Sequence, residues 1–297
     1  MPTLPMHGAS HDLLTGPSVI TRGHVLRETV LAARSSGRSV GLVPTMGALH
    51  EGHLSLLDAA RAECDVTVVT IFVNPTQFGP GEDFRRYPRD LKRDVAMLGE
   101  RGCDLVFAPS GDEMYRADHA TFVDVGPIGH VLEGEFRPTH FRGVATVVLK
   151  LFLLAPADRA YFGRKDYQQT LVVRQVAADL NVPIDVRVCP IVREADGLAM
   201  SSRNAYLSEG ERQRALALSR SLRLAEELVA SGERDVAGIR RQMQREIDRA
   251  GGIEVQYIAF MRDGTVTPVE RIDGPTTIAI AAKVGNTRLI DNTLVGK

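Results

Sequence analysis

Apolar strand patterns alternate with amphipathic helical patterns along the first 190 residues of this chain. The run 66–73 (VTVVTIFV) is β-branched and almost entirely apolar, which is typical of a strand that is covered on both faces. An amphipathic helical pattern at 53–63 precedes it, and a short apolar run at 40–44 precedes that helix. Such alternation predicts a parallel sheet with right-handed crossover helices. We therefore predict a doubly wound α/β domain.

The same patterns predict the other elements of the chain. Within the first domain they predict helices at 24–36, 90–101, 139–154 and 166–180, and strands at 104–108, 159–162 and 184–189. Beyond residue 190 they predict two charged amphipathic helices at 208–230 and 236–250, followed by strands at 254–262, 276–283 and 287–291. Helices followed by strands are typical of an α+β domain with an antiparallel sheet. We predict one domain over residues 1–190 and a smaller α+β domain over residues 191–297.

Composition and charge exclude several classes of protein. Of the 297 residues, 44% are hydrophobic and 25% are charged, as in an average soluble globular protein. With 36 Lys and Arg against 37 Asp and Glu, the net charge is −1, so we expect no nucleic-acid partner, which would need a basic surface. The most apolar stretch, 144–157, contains Lys150 and is shorter than the ~20 residues of a membrane span. We expect no membrane partner either.

The N-terminal residues and the cysteines indicate a cytoplasmic protein. Residues 1–18 lack Lys and Arg and carry Pro and Gly where a signal peptide has its apolar core, so we expect an irregular arm without a motif. Cys64, Cys103 and Cys189 are odd in number, widely spaced and outside any Cys-x-x-Cys motif. This pattern favours reduced thiols over a disulfide framework.

Two histidines three residues apart follow the predicted strand 40–44, in the segment PTMGALHEGH at 44–53. In open α/β sheets, ligands bind beyond the carboxyl ends of the strands, and a helix N-terminus with free N–H groups attracts anions. Two imidazoles there add hydrogen-bond donors for a phosphate whose charge grows during displacement. His50 and His53 therefore indicate a phosphate site. The alternatives are surface helix residues and a zinc pair, which lacks an obvious third ligand.

Two further loops carry side chains that suit a polyphosphate. The loop MSSRN at 200–204 offers two hydroxyl groups and the bidentate guanidinium of Arg203. A solvated polar loop behind the Asp196-Gly197 turn is the alternative there. The segment FGRKDYQQ at 162–169 lies between a strand and a helix, with Asp166 as the expected N-cap and Lys165 beside the same crevice.

Five long motifs in this order resemble the pantothenate synthetase, or pantoate–β-alanine ligase, family of the His-x-Gly-His nucleotidyltransferase superfamily. They are PTMGALHEGH at 44–53, FVNPTQF at 72–78, RPTHFRGV at 137–144, FGxKDYQQ at 162–169 and MSSRN at 200–204. The resemblance covers residues from about 20 to 290. It implies a homodimer in which each chain has a Rossmann-like domain and a smaller C-terminal α+β lid domain.

The resemblance implies a role for each matching residue. The catalytic residues it implies are His50, His53, Lys165, Ser201, Ser202 and Arg203, which act on the ATP phosphates. The ATP site also includes Met46, Gly52, Gly163, Asp166, Val192 and Met200. Pantoate is bound by Pro44, Thr45, Met46, Gln77 and Gln169, and β-alanine by Gln77, Arg137 and His140.

The resemblance also implies an AMP-forming ligase of pantothenate biosynthesis, the route to coenzyme A. The carboxylate of pantoate attacks the α-phosphorus of ATP to give pantoyl adenylate and pyrophosphate, and the amine of β-alanine then displaces AMP. Such chemistry needs positioned cations and N–H groups more than a nucleophile. Magnesium follows from the chemistry of ATP. Asp94 matches a family carboxylate near the metal, although a lone Asp on an exposed helix is more often solvated.

One departure from the family and two other functions stay open. Arg164 stands where the family is usually acidic, and it either adds charge beside the phosphate site or points outward. An adenylyltransferase that forms a dinucleotide would share the histidines but would not need Gln77, Gln169 and the segment 137–140. A nucleotide sensor would share the fold but would not need Lys165 or Arg203.

Overall fold

The computed structural model describes residues 16–297, and its first domain is built on a six-stranded parallel sheet. The strands are β1 Ser18–Ile20, β2 Val40–Thr45, β3 Val66–Ile71, β4 Leu105–Phe107, β5 Arg159–Gly163 and β6 Asp185–Cys189. Their order across the sheet is β1-β4-β3-β2-β5-β6, and all the pairings are parallel. This architecture confirms the prediction of a doubly wound, Rossmann-like α/β fold.

Helices cover both faces of this sheet, which explains why its central strands are apolar on both sides. The helices of the domain are α1 Gly23–Ser35, α2 Glu51–Glu63, α3 Leu91–Glu100, α4 Gly111–Met114, α5 Glu133–Phe136, α6 His140–Leu154 and α7 Tyr167–Asp179. The bounds agree with the predicted ones within one or two residues, and the short α4 and α5 were not predicted. One core cluster packs α1, α6 and α7 on one face, and another packs α2 and α3 on the other.

The predicted irregular arm at 1–18 falls for the most part outside the described residues, but its last residue begins a strand. Ser18–Ile20 pairs in parallel with Leu105–Phe107 at the edge of the sheet. A strand of three residues is too short for an alternating apolar pattern to be recognised in the sequence. No helix in the part from residue 16 onward is long and apolar enough to cross a membrane.

Strand order reverses between β2 and β5, because β3 and β4 lie on one side of β2 while β6 lies beyond β5. At such a switch point, the loops that leave two adjacent strands diverge and open a crevice beyond the carboxyl ends of the strands. The loop after β2 leads to His50, and the turn after β5 contains Lys165. The fold therefore brings these two segments to one place.

The C-terminal part is an α+β unit with its own core, as predicted. Helices α8 Glu209–Ala230 and α9 Val236–Ala250 pack on an antiparallel sheet of β7 Ile253–Arg262, β8 Thr276–Val284 and β9 Thr287–Val295. Strand β9 runs four residues past its predicted end at 291, and that extension contacts the first domain. The boundary near residue 190 stays a prediction.

A buried ion pair connects the two domains. Glu133 of α5 accepts hydrogen bonds from Arg288 of β9, with Nη2 at 2.6 Å, and from the Tyr257 hydroxyl of β7 at 2.7 Å. Burial acts to raise the pKa of Glu133, but the hydrogen bonds and charge of Arg288, together with the Tyr257 hydroxyl and the charge of Arg137, hold that pKa below its usual value. The carboxylate is therefore charged at neutral pH and contributes to stability in that form.

We expect Glu133→Gln to lower the free energy of unfolding by about 2–3 kcal/mol, less than for a fully buried pair, because it leaves the half-buried charge of Arg288 without its partner. Urea unfolding at pH 7 measures this change. Glu135→Gln is the matched control, since Glu135 lies on the same short helix and is exposed. Equal stability of the two variants would contradict a stabilising role for the pair.

Candidate active site

The histidine pair is positioned by the N-terminus of α2. His50 is the N-cap residue, and its Nδ1 accepts a hydrogen bond from the Gly52 N–H at 3.1 Å. The His53 ring stacks beside it with the ring centroids 4.1 Å apart. Because Nδ1 of His50 is an acceptor, the proton of the neutral ring sits on Nε2, which makes Nε2 a donor. A Cβ at position 52 would lie 2.9 Å from the His50 ring, which explains the glycine.

Both imidazoles are neutral near pH 7. Burial, together with the positive charge of Lys165, lowers the pKa of His50 to about 4. Burial and the neighbouring His50 hold the pKa of His53 well below its usual range. Nδ1 of His53 is buried without a hydrogen-bond partner. The pair therefore offers neutral hydrogen-bonding groups at a helix N-terminus, and among the described residues no group of three His, Cys, Asp or Glu is arranged to hold zinc.

Lys165 lies in a single 3-10 turn, Arg164–Asp166, between β5 and α7. Its charge acts on both histidines, and its Nζ lies 3.6 Å from Oδ2 of Asp166. Asp166 occupies the N-cap position as predicted, but its side chain accepts no hydrogen bond from the helix N-terminus, so the predicted capping is wrong. The carboxylate pairs with Lys165 instead.

Arg164 points away from the histidines and into the C-terminal domain. Its Nη2 donates to Asp263 Oδ1 and to Thr277 Oγ1, both at 2.8 Å, and its guanidinium lies over the Tyr167 ring at 5.3 Å. Neither alternative left open by the sequence describes this arrangement, because the side chain is partly buried against the C-terminal domain instead of pointing outward. The basic side chain at this unusual position connects the domains rather than adding charge beside Lys165.

The loop 200–204 packs against the turn after β2. The Ser202 hydroxyl donates to the Ala48 carbonyl at 3.1 Å, and Ser201 Oγ caps a short 3-10 helix by accepting from the Arg203 N–H. Nε and Nη2 of Arg203 each donate to Asp83 at 2.9 Å. The alternative of a solvated polar loop is therefore wrong, and the Arg203 fork is occupied by the Asp83 carboxylate.

Gln77 is held in place by a neighbour that the sequence analysis missed. Asn74 Nδ2 donates to Gln77 Oε1 at 3.1 Å and to the Gly143 carbonyl at 3.2 Å, and its Oδ1 caps the 3-10 turn Pro75–Gln77. With Oε1 occupied, the Gln77 amide group faces Met46, whose Sδ lies 3.0 Å from Nε2. The pair Asn74-Pro75 could have indicated this turn from the sequence, because Asn-Pro favours the start of a turn.

Arg137 and His140 lie next to Gln77 and are linked to each other. Arg137 forms a two-point ion pair with Glu82 at 2.7 and 2.8 Å. His140 Nδ1 donates to the Gln77 carbonyl at 2.9 Å, while Nε2 accepts from Arg137 Nη1 at 3.2 Å. Since guanidinium nitrogens only donate, the ring of His140 is the neutral Nδ1–H tautomer. Consecutive acidic residues, Glu82 and Asp83, thus engage the two arginines that were predicted to bind anions.

The predicted residues meet around two adjoining cavities. The larger, of about 730 Å³, lies between the domains, and the smaller, of about 200 Å³, lies over the carboxyl ends of β2 and β5. Both are lined by Met46, Gln77, Lys165, Asp166, Gln169, Ser201 and Arg203. Pro44, Thr45, His50, Gly52, His53, Gly163, Val192, Met200 and Ser202 line the smaller one. Arg137 and His140 line the larger one.

Asp94 is the one predicted residue that lines neither cavity. The residue is buried rather than solvated, with 1% of its surface exposed, because α3 packs beneath the turn after β2. Its two carboxylate oxygens accept the N–H groups of Ala48 and Leu49, each at 2.9 Å. The carboxylate holds this turn in shape, since Ala48 has a φ of 51° that residues with a side chain rarely adopt. Its occupied oxygens disfavour the prediction that Asp94 binds magnesium.

Burial makes His140 sensitive to acid. Burial and the adjacent Arg137 lower the pKa of His140 to about 4, against about 6.5 for an unfolded histidine. Between these values the unfolded chain takes up a proton that the folded protein refuses, so stability falls as the pH falls from about 6.5 to about 4. At one pKa unit per ~1.4 kcal/mol, this residue accounts for about 3 kcal/mol of that fall.

We expect His140→Asn to flatten the pH dependence of unfolding between pH 6.5 and 4. The Asn amide keeps a donor for the Gln77 carbonyl but does not titrate. Chemical unfolding at half-unit intervals of pH measures the slope. His24→Asn is the control, because His24 is exposed. If His140→Asn leaves the slope of unfolding free energy against pH unchanged, the folded protein accommodates a protonated His140, and the prediction is contradicted.

A profile of the family described as pantoate-beta-alanine ligase matches residues 18–294 of the chain. The pantothenate synthetase of Moorella thermoacetica is 54% identical over 270 residues, which are 91% of this chain and 95% of that protein. The pantothenate synthetase of Thermotoga petrophila is 52% identical over 263 residues, covering 89% of this chain and 94% of that protein. The likeness therefore spans nearly the whole length of both relatives.

Two solved structures of proteins with these names share the fold of this chain. Pantothenate synthetase from Thermus thermophilus has a TM-score of 0.89 and 45% identity, covering 93% of this chain and 98% of that chain. Pantoate-beta-alanine ligase from Francisella tularensis, solved in complex with beta-gamma ATP and beta-alanine, has a TM-score of 0.77 and 33% identity. That likeness covers 94% of this chain and 97% of the other.

Proposed function

The chain belongs to the pantoate–β-alanine ligase family, and we infer that it catalyses the ATP-dependent condensation of pantoate with β-alanine to give pantothenate. The observation that carries this conclusion is the family match over residues 18–294, together with the convergence of the matching polar residues on two adjoining cavities. The Francisella relative was solved with beta-gamma ATP and beta-alanine, which supports the same pair of ligands here.

ATP is assigned to the smaller cavity and the adjoining edge of the larger one. Its phosphates lie at the N-terminus of α2, within reach of His50, His53 and Lys165. A helix N-terminus offers unpaired N–H groups and a positive dipole end, and neutral imidazoles add donors without the repulsion that a second cation would bring to Lys165. Gly163, Val192 and Met200 lie on the adjacent wall, where the nucleoside of ATP fits.

We propose a route through pantoyl adenylate. A carboxylate oxygen of pantoate forms a bond to the α-phosphorus, and the bond to the bridging oxygen breaks to release pyrophosphate. The amine of β-alanine then bonds to the acyl carbon, AMP leaves with the electron pair of the former acyl–oxygen bond, and the amine loses a proton. Charge builds on phosphate oxygens in the first step, where Lys165 and the histidine N–H donors stabilise it.

Pantoate and β-alanine are assigned to the side of the site near Gln77. Its amide, fixed by Asn74, and that of Gln169 suit the hydroxyl groups and carboxylate of pantoate, while Met46 packs against the apolar carbons. The carboxylate of β-alanine is assigned to Arg137 and His140. Because Glu82 already occupies the Arg137 fork, β-alanine either displaces that carboxylate or shares the guanidinium with it.

Magnesium is assigned to ATP rather than to a site on the protein. Mg²⁺ usually keeps several waters, and its other ligands are substrate phosphate oxygens and at most one or two carboxylates of the protein. Asp94 does not fit as a direct ligand, since both of its oxygens accept backbone N–H groups. We expect EDTA to stop turnover because free ATP lacks the ion that partly neutralises its phosphates.

We also propose that the enzyme is a cytoplasmic homodimer. The dimer rests on the resemblance to the family, and size-exclusion chromatography with light scattering tests it. The cytoplasmic location is supported by Cys64, Cys103 and Cys189, which are free thiols in the structure. A monomer at micromolar concentration would contradict the first proposal.

Gln77→Ala is expected to raise the KM for pantoate by about 10–100-fold, because two polar contacts to a small ligand are worth about 1–3 kcal/mol. The KM for ATP should change by less than about threefold. Steady-state kinetics with each substrate varied in turn measures both. Gln175→Ala is the control, since Gln175 is exposed on α7. An unchanged KM for pantoate would contradict the assignment of Gln77.

Product analysis tests the function itself. With ATP, Mg²⁺ and pantoate, we expect pantothenate and AMP to accumulate only when β-alanine is added. A stable dinucleotide would indicate an adenylyltransferase instead. Nucleotide binding without any turnover would indicate a sensor.

A further inference from the structure

Asn292 of the C-terminal sheet reaches across to the turn that carries Lys165. Its side-chain amide donates two hydrogen bonds, to the carbonyl of Arg164 and to the carbonyl of Lys165, both at 2.9 Å. The residue is 2% exposed, and it lies on β9 opposite Ala279 of β8. The main chain of the Lys165 turn is thus held from the side of the other domain.

Asp291 holds the adjacent loop in the same way. Its carboxylate accepts two hydrogen bonds from Arg193, at 2.6 and 2.9 Å, and a third from the Asn292 N–H at 2.8 Å. Arg193 follows Val192, which lines the smaller cavity, and it also donates to the Gly197 carbonyl. Two consecutive residues of β9 therefore each hold one of the segments that surround the nucleotide site.

The hydrogen bonds from Asn292 can fix the direction in which the Lys165 side chain leaves the backbone. Lys165 lies in a turn of three residues between a strand and a helix, and a flexible four-carbon stem joins its ammonium group to that backbone. Fixing two successive carbonyls fixes the peptide planes on either side of the Lys165 Cα, and hence the direction of its Cα–Cβ bond. An error of about 1 Å at a reacting group is enough to cost about 100-fold in rate.

We propose that Asn292, held by Asp291, is a positioning residue that orients Lys165 toward the phosphate under attack. The inference rests on the proposed function of Lys165 in adenylate formation. It assigns to the C-terminal domain a part in the first half-reaction, through two side chains at the wall of the larger cavity that act on the main chain of the Lys165 turn and on Arg193. Neither residue belongs to a motif of the sequence, and the predicted strand ends at Asp291.

The test is the single-turnover rate of pyrophosphate release from ATP and pantoate, with enzyme in excess and without β-alanine. Asn292→Ala is expected to lower this rate by about 10–100-fold, with a change of less than about threefold in the half-saturating ATP concentration. Asn292→Asp keeps the shape of the side chain but removes both donors, and the same loss is expected. Thr293→Ala is the control, because Thr293 is the next residue of β9 and bonds to Glu226 of its own domain.

A double variant separates positioning from a general loss of structure. In the Lys165→Ala background, Asn292→Ala is expected to cost less than about threefold, since the side chain that it orients is gone. An equal cost in both backgrounds, or a normal rate for Asn292→Ala and Asn292→Asp, would overturn the inference. A normal rate for Lys165→Ala itself would instead overturn the proposed function of Lys165. If Asn292→Ala does not fold, the comparison is made with Asn292→Asp.

Discussion

Replacing Lys165 by alanine is expected to lower the rate of pantoyl adenylate formation by about 100–1,000-fold, or about 3–4 kcal/mol of transition-state stabilisation. The charge of Lys165 acts on the two histidines, and both of them are neutral because burial and Lys165 itself lower their pKa values. The other cation that lines the smaller cavity, Arg203, is paired with Asp83. Lys165 has only a single contact with Asp166, at 3.6 Å, so its ammonium group is the cation on this side that can stabilise the charge developing on the α-phosphate.

The measurement is pre-steady-state release of pyrophosphate, with folding checked by thermal denaturation. We expect kcat to fall far more than the KM for ATP rises, because the interaction strengthens as the α-phosphate gains charge. Lys92→Ala is the control, since Lys92 is exposed on α3 and away from both cavities. A rate within about threefold of the unmodified enzyme would rule out the role assigned to Lys165.

Gly143→Ala is expected to destabilise the protein by at least about 2 kcal/mol and to raise the KM for pantoate by about 10-fold or more. Gly143 lies on α6 where that helix presses against the turn Pro75–Gln77. A Cβ there would lie 2.3 Å from the Thr76 carbonyl oxygen and 2.6 Å from the Gln77 nitrogen. These are backbone atoms, so relief requires moving the turn that carries Gln77.

Urea unfolding and pantoate kinetics measure the two effects of Gly143→Ala together. Gly210→Ala is the matched control, because Gly210 lies in α8 with nothing within 4 Å of an added Cβ. That control is expected to be neutral or slightly stabilising, as alanine favours a helix over glycine. Wild-type stability and pantoate affinity in Gly143→Ala would mean that α6 and the turn separate at little cost.

The sheet and the place of the site were predictable because they depend on local patterns. The β-branched run at 66–73 and the helical periods around it are enough to predict parallel strands, and the switch-point rule then places His50 and Lys165 at one crevice. The resemblance to the family motifs added the loop 200–204 to this predicted site. Each of these signals lies within a few neighbouring residues of the chain.

What the sequence analysis missed depends on partners far away in the chain. Arg137 pairs with Glu82 over 55 residues, and Arg203 pairs with Asp83 over 120 residues. No periodicity connects such positions, and nothing in the sequence near Glu82 and Asp83 indicates these pairings. Neither reading of Asp94, as a carboxylate near the metal or as a solvated residue, anticipated its contacts for the same reason, since its burial depends on the turn after β2.

The end of β9 shows how tertiary contacts override a local signal. The predicted strand ends at Asp291, and Asp and Asn are common in turns. In the structure both side chains are buried, because Arg193 and the carbonyls of the Lys165 turn satisfy them. The polar pair continues the strand because its partners come from another part of the chain.

The central claim is that pantoate is activated as an adenylate in this site, and isotope transfer tests it most directly. Pantoate labelled with ¹⁸O in its carboxylate is incubated with the enzyme, ATP, Mg²⁺ and β-alanine, and the products are analysed by mass spectrometry. We predict one ¹⁸O atom in the phosphate of AMP and none in pyrophosphate, because the carboxylate oxygen that attacks the α-phosphorus stays with AMP. Label in inorganic phosphate, accompanied by ADP, would contradict the claim and indicate an acyl phosphate instead.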